Sequence, residues 1–155
     1  IWLVDPYLSA SDILNTVVYC GKYGISIKCL THIATINNNA ATQIQKSEDK
    51  SRFRKIVEQY HSELSDALSI QTDMKIEFRT VVGMEGSAFH DRYLILKYGM
   101  NKSRAWSLGI SVNSLGKSHH IIQIVQSPMD VIETINTIWE QSCGKECLIY
   151  SNIDE

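Results

Sequence analysis

The hydrophobic period changes twice within the first thirty residues, and this limits the folds open to the chain. Ile1-Trp2-Leu3-Val4 is an unbroken apolar run that ends at Asp5-Pro6, so it reads as a buried strand followed by a turn. Ile13, Leu14, Val17 and Val18 then recur at helical spacing, with Ser11 as a cap and the helix reaching to about Cys20. Lys22-Tyr23-Gly24 breaks it, and Ile25, Ile27 and Cys29 alternate with polar residues as a second strand. Residues Asn37 to Thr42 are polar and form a loop. Phe53, Ile56, Val57, Tyr60, Leu64 and Leu68 then fall at steps of three or four, predicting an amphipathic helix over Ser51 to Leu68. Strand patterns follow at Met74–Val82, Tyr93–Leu96, Ala105–Ile110 and Ile121–Val125. Ser127-Pro128 opens a last helix whose stripe is Val131, Ile132, Ile135, Ile138 and Trp139. Mixed strands and helices in this order predict an α/β sandwich, a mixed sheet covered by helices.

The 155 residues fit one domain, spanning 1–155, with 44% hydrophobic and 21% charged residues as in ordinary globular proteins. The opening inside a strand reads as a domain excised from a longer protein, whose other domains would be its partners. No stretch of about 18 apolar residues predicts a membrane span. The net charge of −2 argues against nucleic-acid binding by bulk charge. Four cysteines at C-x8-C and C-x3-C spacing match no common zinc pattern and read as idle thiols in a reducing, cytoplasmic setting. No metal or cofactor is expected. His32 and His61 read as structural, and the neighbours His119 and His120 diverge if they lie on a strand.

The chemistry-bearing stretch is Phe89-His90-Asp91-Arg92-Tyr93-Leu94-Ile95-Leu96. With a side-chain period of two, His90 and Arg92 project together and Asp91 faces away. Downstream, Ser111 and Asn113 are again two apart. An imidazole beside a guanidinium, a hydroxyl and a carboxamide is a donor set for phosphate. Tyr93 and Trp106 read as core or wall rather than stacking platforms. From Gly86 to His120, Arg92, Lys97, Lys102, Arg104 and Lys117 face Asp91 alone, a segment charge of +4 that leaves the remainder at −6. Such a patch suits a polyanionic ligand, with Lys97, Lys117 and Arg104 as substrate-binding candidates. Asp5 and Glu85 are the candidate carboxylates to orient His90.

The strand His-x-cation, the downstream Ser-x-Asn and the opening Val4-Asp5-Pro6-Tyr7-Leu8 together resemble the phospholipase D superfamily, in order, from Ile1 to about Trp139. Two positions depart from its pattern: Arg92 stands where the family has Lys, and Lys97 where it has Asp. Gly109 also falls one place early for the usual Gly-Ser-x-Asn. The resemblance implies a phospholipase D-like αβα sandwich and a metal-independent phosphodiesterase or nuclease. His90 would be the nucleophile of a phosphohistidine intermediate, and Arg92, Ser111 and Asn113 would cradle the phosphate. One motif copy implies a homodimer that supplies the second histidine. The alternative is a catalytically degenerate phosphate-binding or oligomerisation module of a larger, bacterial defence protein.

Overall fold

The computed structural model describes residues 1–20, 24–32, 46–69, 73–81, 89–98, 102–117 and 119–153. Seven strands form one mixed sheet: β1 (Trp2–Val4), β2 (Ser26–His32), β3 (Lys75–Val81), β4 (Tyr93–Leu96), β5 (Arg104–Ser107), β6 (Gln123–Ile124) and β7 (Leu148–Ser151). Their order is β6-β5-β4-β1-β2-β3-β7. β1, β2 and β3 run parallel, while β4, β5, β6 and β7 each pair antiparallel with their neighbours. The α helices are α1 (Ala10–Asn15), α2 (Lys46–Leu68) and α3 (Pro128–Gln141).

Alternation along the strands builds two cores on opposite faces of the sheet. Leu3, Ile27, Cys29, Ile76 and Phe78 pack with Ala10 and Ile13 of α1 and with Leu64 and Leu68 of α2. Trp2, Val4, Leu30, Val81, Ile95 and Ala105 pack with Ile132, Ile135, Ile138 and Trp139 of α3. Helices therefore cover both faces, and the molecule is a mixed α/β sandwich.

Several expected boundaries move, for local reasons. The cap of α1 is Ser9 rather than Ser11, because Asp12 lies three residues on and completes a capping box. Ser9 Oγ accepts from the Asp12 N–H at 3.2 Å, and the Ser9 N–H donates to the Asp12 carboxylate at 2.9 Å. The α helix stops at Asn15, and Val17–Cys20 continues as a 3-10 turn. Helix α2 starts at Lys46, ahead of the first periodic apolar residue. β5 ends at Ser107 because Gly109 takes a left-handed φ of +68°, which turns the chain out of the sheet. The strand expected at Ile121–Val125 shrinks to two residues. β7 was not expected at all. The loop expected at Asn37 to Thr42 lies outside the described residues.

Candidate functional site

The sheet topology decides which candidate residues can meet. β1 and β4 are antiparallel with Val4 opposite Tyr93, and β4 and β5 are antiparallel with Tyr93 opposite Ser107. The carboxyl end of β1, the approach to β4 and the exit of β5 therefore share one end of the sheet. Asp5, Arg92 and Ser111 lie there, where open α/β sheets collect ligands.

Asp5 is fully buried and organises this end. Its Oδ1 accepts the Tyr7 N–H at 2.8 Å. Its Oδ2 accepts the Ser111 hydroxyl at 2.8 Å and the Val112 N–H at 2.6 Å. These bonds tie the first strand to the 3-10 turn Val112–Ser114 across more than a hundred residues. They also revise two expectations. Asp5 braces the Ser111 turn, and no bond joins it to His90. The Ser111 hydroxyl hydrogen is spent on Asp5, so its oxygen keeps only lone pairs for other partners.

Arg92 is held by its surroundings. Its carbonyl accepts the Leu108 N–H at 2.9 Å, and its guanidinium carbon lies 5.4 Å from the Tyr7 ring centroid, a cation–π contact. Its Nε is buried with no hydrogen-bond partner. Few buried polar atoms go unpaired, so this donor has hydrogen-bonding capacity left over. Asp91 accepts from the Tyr93 hydroxyl at 3.2 Å and makes no ion pair with Arg92, as alternation requires. Burial, the Asp91 charge and that hydrogen bond raise the Tyr93 pKa above its ordinary value.

His90 is exposed just ahead of β4, and no carboxylate partners it among the described residues. Glu85 lies outside the described residues. Asn113 is exposed, and its Oδ1 accepts the Ser114 hydroxyl at 2.8 Å. Lys117 is exposed and closes the same turn through its N–H on the Ser114 carbonyl at 3.1 Å.

Lys97 and Arg104 do not belong to this end. Leu96 pairs with Arg104 at the closed end of the β4–β5 hairpin, and Ile95 pairs with Trp2 at the start of β1. Five residues of extended chain separate Arg92 from Lys97, about 16 Å. Lys97 instead lies 5.3 Å from the Trp2 ring centroid. The segment charge of +4 is thus divided between two ends of the sheet.

His32 was read as structural, and the structure sets it at the carboxyl end of β2, buried, with its N–H on the Pro6 carbonyl at 3.3 Å. Its backbone therefore meets the residue before Tyr7. The signal in the sequence was an imidazole at the end of a strand pattern. Among the described residues no cluster of three or more His, Cys, Asp or Glu side chains could hold a metal. Cys29 is buried beneath the sheet, and burial pushes its thiol pKa far up, which suits an inert core thiol. Among the described residues no helix is long and apolar enough to cross a membrane. No family model, no curated protein and no solved structure matches the chain.

Proposed function

We propose that the Asp5–Arg92–Ser111 end of the sheet binds a phosphodiester and that the domain is a phospholipase D-like phosphodiesterase. The observation that carries this reading is Arg92: a guanidinium fixed over Tyr7, with a buried Nε lacking a partner, at the strand ends where His90 approaches the sheet. In this reading a ring nitrogen of His90 attacks phosphorus, the P–O bond to the leaving alcohol breaks, and that oxygen takes a proton from a second imidazole. Water then cleaves the phosphohistidine, and the second imidazole removes the water's proton. Arg92 stabilises the charge that grows on the non-bridging oxygens. A second copy across a two-fold axis supplies the second imidazole. The departure at Lys97 falls about 16 Å along the strand from Arg92, so it withholds nothing from the anion. A mixed sheet with helices on both faces is the architecture such a domain needs, and nucleic acid is the substrate class proposed.

The deciding experiment is hydrolysis of bis-p-nitrophenyl phosphate with EDTA present. Turnover should survive EDTA and fall roughly 10³-fold or more in His90→Ala. Full activity in His90→Ala removes this histidine from the mechanism. Light scattering should show a dimer, and a monomer that turns over would remove the two-fold source of the second imidazole.

A second reading has its own support. His90 has no carboxylate partner among the described residues, and Ser111 is committed to Asp5. Both suit a phosphate-binding or oligomerisation module that lacks turnover. Phosphate binding that is lost in Arg92→Ala, without hydrolysis in the native chain, is the outcome that selects it.

A further inference from the structure

The closed end of the β4–β5 hairpin carries a groove that the site at Arg92 does not use. One hollow of about 610 Å³ is lined by Trp2, Lys28, Leu96, Lys97 and Tyr98 among others. A second, also about 610 Å³, is lined by Leu96, Tyr98, Lys102, Ser103, Arg104 and Trp106. Leu96 and Tyr98 belong to both, so the two hollows adjoin. Among the described residues no Asp or Glu lines either one.

The cations here make no ion pairs among the described residues. The ion pairs among the described residues are Arg54 with Glu58 and Arg79 with Glu77, so none of Lys28, Lys97, Lys102 and Arg104 is paired with a carboxylate. Burial lowers the Lys28 pKa most, the charge on Glu77 opposes this, and the charges on Arg79 and Lys97 lower it further. Lys28 and Lys97 already cap the buried Trp2 ring, at 5.2 and 5.3 Å. Tyr98 differs: it is 59% exposed and lies where the two hollows meet.

We propose that this groove binds single-stranded nucleic acid, with phosphates on Lys102 and Arg104 and a base stacked on Tyr98, which line the same hollow. Cations that track a backbone beside an open aromatic ring are the parts that single-strand binding needs. A duplex hides its base faces from such a ring, and an acidic peptide has no use for it. The groove lies about 16 Å along β4 from Arg92, so this inference stands apart from any chemistry at His90.

The test is fluorescence anisotropy of the whole chain with a labelled oligothymidylate of roughly 20 nucleotides, near physiological salt. Arg104→Glu should weaken binding about tenfold, and Lys102→Glu should act in the same direction. Tyr98→Ala should weaken it about fivefold. Lys55→Glu changes the net charge equally on the exposed face of α2 and should shift affinity less than about twofold. All four side chains are exposed, and urea midpoints confirm that the variants fold. An equal loss in Lys55→Glu overturns the proposal, since net charge alone would then explain binding. So does an unchanged Tyr98→Ala, duplex DNA bound as tightly as the single strand, or no binding by the native chain. Hydrolysis of bis-p-nitrophenyl phosphate by the same variants reads the other end of the sheet, so either reading can fail alone.

Discussion

Asp5 has no solvent contact and satisfies three donors, two of them backbone N–H groups. Removing an acceptor of that kind strands the donors in a dry setting. Asp5→Ala should therefore cost about 3 kcal/mol, read as a lower urea midpoint at constant slope. An unchanged midpoint would mean that water replaces the carboxylate and that the turn at Ser111 holds itself. Asp5 stood out in the sequence because an apolar run ended in a carboxylate followed by proline. Its partner could not be read, since Ser111 lies 106 residues away and the bond exists only once β1 and β4 pair. Arg92 and Lys97 were grouped because they are near in sequence. Extended chain puts such neighbours far apart, and this is why a segment charge was a poor guide to a site.

At the scale of elements, the strong patterns gave the right structures. The Phe53-to-Leu68 stripe became α2, and Pro128 opened α3. β7 escaped because Leu148–Ser151 is a four-residue run beyond the last helix, and only β3 gives it a reason to extend. Gly109 shows how an exit is enforced. Its φ is +68°, and a Cβ there would meet the Ile121 carbonyl oxygen at 2.7 Å. Gly116 has a φ of +79° with open space around it. Gly116→Ala should cost about 1 kcal/mol from backbone strain alone, and Gly109→Ala about twice that, because the Ile121 backbone must also move. Equal urea midpoints would show that the segment before β6 yields freely. That segment carries Ile121 at 70% exposure, and β6 at the sheet edge carries Ile124 at 62%.

For the whole molecule, stability should be graded across the sheet. β2 and β3 pair over seven residues, and Ile27, Leu30, Ile76 and Phe78 are fully buried. β6 offers two residues at an edge. Amide hydrogen exchange should accordingly be slowest in Ile27–Leu30 and Ile76–Phe78 and fast in Gln123–Ile124. Comparable protection in β6 would mean that its exposed edge is covered in solution. The layers were legible in the sequence because each face repeats its own apolar period. The strand order was not, since pairing partners leave no local trace.

That order has a consequence for synthesis. The earliest strand to leave a ribosome is the one seated in the middle, between β2 and β4. Its antiparallel neighbour emerges some ninety residues later. Until then one flank of the nascent sheet stays open, and Asp5 lacks its partners at Ser111 and Val112. An unfinished edge therefore persists from the making of β1 until β4 follows it.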